Sequence, residues 1–324
     1  MASSRNRHSI DRPLREVGAC LKDHVAPGQR LALGLSGGLD SVVLLHLLLA
    51  IREEIGISVA AVHVHHDLSP NADAWQAFCE RLCREWSVPL RVARVQVDHD
   101  SGEGLECAAR RARYDAFKAE AADWIALAQH RDDQAETLLF NLLRGAGVRG
   151  AAAMPVAREN ILRPLLKLGR SEIEAYGRHH GLRWIEDESN SDRRYSRNFL
   201  RHEILPRLAL RFPAAKASLA AAAGRFAEAQ ALLDDLALLD LGQAPARFPL
   251  PLARLQALSE ARARNLLRLL LARHGVQVPS EERLFEATRQ LLTAAPDRHP
   301  SIAFGDYLLR RVGRDIHLEA GPGS

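Results

Sequence analysis

The sequence predicts an α/β fold: a doubly wound parallel sheet followed by a smaller, mainly helical domain. Three observations predict it. Short apolar or β-branched runs alternate with helical patterns through the first half of the chain. A glycine-containing turn joins the first run directly to its helix. After about residue 213 the strand-like runs give way to alanine- and leucine-rich helical texture.

The strands are expected at "RLALGL" (30–35), "ISVAAVHVH" (57–65), "PLRVARV" (89–95) and "WIALAQH" (124–130). They are β-branched or apolar and short, as buried parallel strands are. Helices are expected near 40–54, 71–86, 104–122 and 132–144. Ligands of such sheets bind beyond the carboxyl ends of the strands. Ser36–Ser41, His63–Asp67 and Gln129–Glu136 all fall there. Further on, "EARARNLLRLLLARHG" and "EERLFEATRQLLTAA" read as amphipathic helices, the first closed by a glycine. "HPSIAFGDYLLRRVGRDIHLE" reads as a small hairpin. The expected domains are therefore 1–212 and 213–324. The final "GPGS" (321–324), natural or added, is left out of the fold.

The 324 residues and 47% hydrophobic content can fill two cores. A formal net charge of +4, carried mostly by arginine, permits nucleic acid as a partner without demanding it. The N-terminus has no apolar leader and no window is long enough to span a membrane, so a cytoplasmic location without a membrane partner is expected. Four cysteines fit a reducing compartment. Cys79 and Cys83, spaced i, i+4, read as buried thiols, because neither C-x-x-C nor a second pair exists.

The stretch "LALGLSGGLDSVVLLHLLL" carries the chemistry. It is not a Walker loop, since no Gly-Lys-Ser/Thr follows, and its glycines do not fall as G-x-G-x-x-G. Glycines let backbone amides approach an anion, and the next helix adds free N–H groups and a favourable dipole. Ser36 and Ser41 can each donate to a phosphate oxygen. A carboxylate, Asp40, beside a triphosphate calls for Mg²⁺ between them. The loop Ser36, Gly37, Gly38, Leu39, Asp40 and Ser41 thus suits Mg·ATP gripped at its pyrophosphate end. Helix capping alone would not require paired glycines and both serines.

S-G-G-x-D-S after a first strand resembles the loop of the N-type ATP pyrophosphatases (PP-loop enzymes). "HVHHDLSPNADAWQAFCERLCREWSVPL", "GLECAARRARYDAF", "LAQHRDDQAETLLFNLLRGAGVRGAAAM", "LRPLL", "WIEDESN" and "YSRNFLRHEILP" together resemble the tRNA(Ile)-lysidine synthetase family, closely over about 28–212 and more loosely beyond. The resemblance implies a PP-loop fold and an ATP- and Mg²⁺-dependent ligase. Its substrates would be free L-lysine and an isoleucine tRNA with a CAU anticodon. ATP would adenylate O2 of the wobble cytidine, and lysine would then displace AMP. A tRNA sulfurtransferase on the same loop would need a persulfide cysteine or a cluster-binding C-x-x-C, and the sequence has neither. A homodimer is compatible with the resemblance. Longer members carry a further C-terminal tRNA-gripping domain, and this chain is expected to stop before it.

The remaining candidates have ordinary readings beside functional ones. "HVHHDLS" lacks the last ligand of H-x-H-x-D-H, so a transition-metal site is not expected. His63 is a candidate wall for adenine or ribose, or simply strand-end packing. The family usually has glycine where this chain has Asp67. Glu106, Arg110 and Arg113 share a helix face, which could be merely solvated. The resemblance puts that face at the cleft, where Arg110 and Arg113 would act on the α-phosphate. Asp133 and Glu136 have capping-box spacing. By resemblance, Asp132, Asp133 and Glu136 are expected to serve catalysis, on the lysine ammonium or a metal. Asp187, Asn190, Arg197 and Asn198 suit a lid or an RNA-facing surface. Arg193, Arg194 and Arg197 near the cleft, and Arg310, Arg311 and Arg314 near the end, are the candidate tRNA-binding cations.

Overall fold

The structure is a computed structural model. It describes residues 2–321 except 68, 97–104, 187–195, 278–279 and 296–297, and leaves out the side chains of 2–10 and 105–107. Arg193, Arg194, Asp187 and Asn190, and residues 322–324 of the expected tail, therefore lie outside the described residues, as does the side chain of Glu106. The chain divides into two compact units, Met1–Gly145 with Ala152–Gly224, and Ala146–Ala151 with Arg225–Ser324.

The first unit runs α1 (Ala2–His24), β1 (Arg30–Gly34), α2 (Leu39–Ile55), β2 (Ser58–His65), α3 (Ala72–Glu85), β3 (Leu90–Arg94), α4 (Leu105–Lys118), β4 (Trp124–Ala126) and α5 (Arg131–Leu143). The chain then forms α6 (Val148–Ala151), which belongs to the second unit. It returns through β5 (Ala157–Arg158), β6 (Ile161–Leu162), α7 (Arg170–His179), α8 (Ser196–Phe199), a π-helical turn Leu200–Ile204 and α9 (Leu205–Arg211). The sheet order is β3-β2-β1-β4-β6-β5, parallel except for β5, which pairs antiparallel with β6 at the edge.

Alternation along the strands builds two cores. Leu31, Leu33, Val59 and Ala61 point into one, with Val17 and Leu21 of α1, Val42 to Leu45, Leu47 and Leu48 of α2, and Ile173 and Tyr176 of α7. Ala32, Val62, Ile125 and Leu127 point into the other, against Ala116 and Phe117 of α4. Covering both faces is what makes 31–33 of β1 and 59–62 of β2 apolar on both alternations. The side chain of Phe117 approaches so closely that a Cβ on Gly34 would lie 2.8 Å from its Cζ. Helix α2 is buried nearly all round and ends on Gly56, whose φ of 76° is the left-handed cap that glycine adopts without strain.

The order reverses across β1, with β2 on one side and β4 on the other, so a crevice opens at the carboxyl ends of β1 and β4. The loop 36–41 and the segment 129–136 leave from those two ends. Strand β4 is only Trp124–Ala126, shorter than the expected 124–130. Leu127 still pairs with Leu162, but beyond it the backbone turns to start α5.

Helix α10 (Ala215–Leu241) begins at the change of sequence texture and runs across the division between the units. The second unit continues with β7 (Leu250–Pro251), α11 (Leu252–Gln256), α12 (Glu260–Arg273), α13 (Glu281–Thr293), β8 (Ser301–Phe304), β9 (Tyr307–Val312) and β10 (Asp315–Ala320). The expected terminal hairpin is here part of a four-stranded antiparallel sheet, β7-β10-β9-β8. Its core joins Leu266, Leu267 and Leu270 of α12 to Leu284 and Leu291 of α13 and to Leu309 and Ile316 of the sheet. No helix among the described residues is long and apolar enough to cross a membrane.

Candidate functional site

The loop after β1 is closed upon itself. Ser41 Oγ donates to Gly38 O at 3.0 Å and accepts from Ser36 N at 3.2 Å. Ser41's single proton is thereby used, so Ser36 Oγ donates to Ser41 Oγ at 3.1 Å while accepting from Gly38 N at 3.3 Å. Ser36 is exposed and Ser41 buried. Rotating the Ser36 hydroxyl is enough to offer it to an anion. Gly37 has φ 84°, and a Cβ there would lie 2.7 Å from Ile185 Cδ1. Ile185 N donates to Gly37 O at 3.0 Å, so the chain before "EDESN" lies on the loop. The apolar Trp184-Ile185 pair ahead of that polar run was its signal in the sequence.

Beneath the loop, His63 is 4% exposed and its Nδ1 bonds Leu35 O at 2.9 Å. This bond holds the root of the loop. Burial holds the His63 pKa below the usual histidine value. Asp67 has φ 57°, the left-handed region that glycine takes freely and aspartate tolerates.

Asp40 enters at the first turn of α2. Its Oδ2 lies 2.5 Å from Arg170 Nη1 at the start of α7, and 3.8 Å from His130 Nε2. Its Oδ1 is buried without a partner. Burial outweighs His130 and Arg170 and raises its pKa above the usual carboxylate range. The α5 carboxylates sit opposite. His130 Nδ1 accepts from Asp133 N while Asp133 Oδ2 accepts from His130 N at 2.9 Å. The capping box is thus His130–Asp133 rather than the Asp133–Glu136 spacing read from sequence, because α5 begins at Arg131, three residues before the start that spacing requires. This assigns the His130 proton to Nε2, on the Asp40 side.

Arg201, from the π-helical turn, grips both Glu136 oxygens at 2.8 Å and Asp133 Oδ1 at 2.7 Å. Lys216, from the first turn of α10, donates to Asp132 Oδ2 at 2.7 Å. Burial works against the Asp132 charge, but Lys216, His130 and the Arg170 N–H together hold its pKa below the ordinary value. Burial pushes Glu136 upward against the pull of Arg201, whose own pKa its carboxylate partners raise.

Sequence reasoning thus found the carboxylates and missed their counter-ions. Arg201 lay inside the quoted "YSRNFLRHEILP", but its spacing to α5 exists only in space. Arg170 and Lys216 had no local signal. Arg163 was missed too; it is buried and bonds Gln129 Oε1 and Pro155 O, both at 3.0 Å.

Arg110 and Arg113 are exposed on α4. Arg110 lies over the Tyr114 ring, 5.2 Å from its centroid, and Arg113 Nε reaches His66 Nε2 at 3.3 Å. Arg197 lies over the Phe140 ring at 5.7 Å, and Asn198, half-buried, is beside it in α8. In the second unit Arg310 is exposed and pairs with Glu319, and Arg314 is exposed at the β9–β10 turn. Arg311 departs from the expectation of an RNA-facing cation. It is 8% exposed, and its Nη1 donates to Ala294 O at 2.8 Å. Strand alternation turns its side chain inward while Arg310 turns outward.

Mg²⁺ fits Asp40 Oδ1, a hard oxygen donor with no other partner. No set of three or more His, Cys, Asp or Glu side chains is arranged to hold a metal among the described residues. A single protein donor, with phosphate and water completing the shell, is how Mg²⁺ is commonly held. Cys79 lies behind the loop, its Sγ 3.9 Å from Leu35 O and 3.2 Å from where a Cβ on Gly37 would stand. Cys79 and Cys83 are buried, and burial raises their pKa values to about 12 and about 11, so both stay protonated.

A strand, a closed Ser-Gly-Gly loop and an aspartate opening the next helix, at the switch point of a parallel sheet, define the PP-loop class, and the PP-loop domain model matches residues 9–208. The model of the TilS substrate binding domain matches residues 250–317. The chain is 48% identical to the tRNA(Ile)-lysidine synthase of Nitrosomonas europaea, over 86% of this chain and 62% of that protein. It is 50% identical to that of Aromatoleum aromaticum over 84% and 65%, and 44% identical to that of Ralstonia nicotianae over 96% and 69%. The chain belongs to the tRNA(Ile)-lysidine synthase family. It spans less than two thirds of the length of the first two of these relatives. Among solved structures, the U34-tRNA thiolase NcsA from Methanococcus maripaludis shares the fold, with a TM-score of 0.57 at 20% identity, over 69% of this chain and 80% of that one.

Proposed function

We propose that this chain joins free lysine to C2 of the wobble cytidine of a CAU-anticodon isoleucine tRNA at the expense of ATP. The cytidine O2 attacks the α-phosphorus and pyrophosphate leaves. The lysine amine, having lost a proton, then attacks C2, and AMP departs with the oxygen. The observation that carries this reading is the meeting of the closed loop 36–41 with the carboxylates of α5 at one switch point, in a chain of this family.

In this reading the amides and serines of the loop hold the phosphates. Mg²⁺, bound at Asp40 Oδ1, would neutralise charge on the pyrophosphate end. Arg110 and Arg113, both exposed on α4, would act on the developing α-phosphate charge. Asp132, Asp133 and Glu136 form the anionic wall that suits an ammonium. Arg197, stacked on Phe140, with Arg193, Arg194, Asn198, Arg310 and Arg314, would contact tRNA. The buried, protonated thiols speak against sulfur transfer. The substrates tRNA and ATP suit a cytoplasmic setting for this reaction.

The test is incubation with labelled lysine, ATP, Mg²⁺ and a CAU-anticodon isoleucine tRNA transcript. Label should enter the tRNA, and pyrophosphate release should depend on both tRNA and lysine. Pyrophosphate release without lysine incorporation would point to a different nucleophile and overturn the lysine assignment.

A further inference from the structure

The loop carries no cation, yet a triphosphate carries about four negative charges, and one Mg²⁺ leaves roughly two of them unmatched. The cations around the crevice are mostly committed. Arg201 is held by three hydrogen bonds to Glu136 and Asp133, and Lys216 by Asp132. Arg163 is buried among neutral acceptors. Arg170 differs. Its side chain is 46% exposed and its guanidinium meets Asp40 Oδ2.

The root of Arg170 is fixed, while its half-exposed head is held by Asp40 alone among the described contacts. Its backbone N–H points at Asp132 Oδ1 (3.4 Å), and the preceding Gly169 N–H is capped by Glu172 Oε2 at 2.8 Å. Glu172 is itself pinned by Arg12 at 2.6 Å and Arg131 at 3.4 Å. The guanidinium therefore swings from an anchored point beside the loop. Its present partner is the carboxylate that Mg²⁺ would engage. A metal on Asp40 removes the reason for that ion pair, and arriving phosphate supplies a better one, because a guanidinium fork matches phosphate oxygens bidentately.

Resting on the nucleotide-binding part of the function above, we propose that Arg170 is the cation the loop lacks: it neutralises Asp40 before ATP arrives and transfers to the β- and γ-phosphates when ATP binds. Arg170 is then a binding residue for the pyrophosphate moiety and releases with it. AMP, which has neither phosphate, does not engage it.

Calorimetry on the full chain, with Mg²⁺ and with neither tRNA nor lysine, tests this. The probes are ATP, α,β-methylene-ATP, inorganic pyrophosphate and AMP. Arg170→Gln should weaken ATP, its analogue and pyrophosphate by about ten- to a hundredfold, the scale of a lost charge-assisted pair, and change AMP less than about twofold. Arg170→Lys should recover part of the loss. The same Arg170→Gln change placed on Asp40→Asn separates the two roles. If Arg170 binds phosphate, it still weakens ATP there. If Arg170 serves only to neutralise Asp40, the second change costs nothing, and the proposal fails. Equal losses for ATP and AMP, or none for either, also overturn it. Lysine incorporation with Arg170-indifferent ATP affinity would sink this proposal alone. Arg170-dependent ATP affinity without lysine incorporation would sink only the proposed ligation.

Discussion

Arg201 binds Glu136 through two parallel hydrogen bonds of 2.8 Å each, Nε to Oε1 and Nη2 to Oε2. The Glu136 side chain is 6% exposed, so its charge depends on that fork. The pair ties the π-helical turn at 200–204 to the carboxylate wall of α5.

Arg201→Gln should therefore cost about 3 kcal/mol of stability, because it strands a buried carboxylate. Arg201→Lys keeps the charge but not the fork and should recover only part. Adding Glu136→Gln should restore more than half of the loss. Urea denaturation of both single mutants and the double mutant measures the coupling, and additive costs would show the pair to be energetically independent.

Asp40→Asn should separate stability from function. Burial raises the Asp40 pKa in the native state. The unfolded chain then releases this proton at a lower pH than the native one, and stability is lost as pH rises from the unfolded to the folded value. At pH 7, above the unfolded value, keeping a carboxyl at this buried position is a net cost, which asparagine removes. The mutant should melt higher than the native protein at pH 7, with the gain disappearing near pH 3. Turnover should fall about a hundredfold. A mutant less stable at pH 7 would show that the Arg170 pair outweighs burial.

Acid should weaken the fold through histidines kept neutral. Burial first, then Arg113, His63 and His65, lowers the His66 pKa to about 4. Below the unfolded value of about 6.5 the unfolded state takes up a proton that the native state refuses, so stability declines from there down to about pH 4. His46, His63 and His180 are shifted the same way, each mainly by burial. The melting temperature should drop between pH 7 and pH 5. His66→Gln, which can still accept from Arg113, should narrow that drop; an identical drop would assign it to the other three.

The terminal arginines should divide by the face they occupy. Arg311→Ala removes a buried donor to Ala294 O and should cost about 1–3 kcal/mol. Arg310→Ala with Arg314→Ala should change stability by less than about 0.5 kcal/mol. If those two contact tRNA, log affinity against log salt should flatten by about one to two. An unchanged slope in filter binding would make them bystanders.

The sequence by itself determined the strand–loop–helix unit at 30–55, the four leading parallel strands and the family. These rest on local signals: apolar runs, paired glycines, and a serine and aspartate at fixed spacing. It also marked Asp132, Asp133 and Glu136, because α5 starts where a strand ends. It could not set the ends of β4, since Leu127–Gln129 are apolar or neutral whether paired or turning. It gave no sign of the antiparallel β5–β6 edge, each strand being two residues long. The tertiary structure alone decided the partners. Arg170 meets Asp40 across 130 residues, Lys216 meets Asp132 across 84, and Arg201 meets Glu136 across 65. An arginine's sequence surroundings do not say which distant carboxylate will neutralise it. That is settled by which strand ends the sheet order places side by side, because buried charges stay only where an opposite charge is within hydrogen-bond reach.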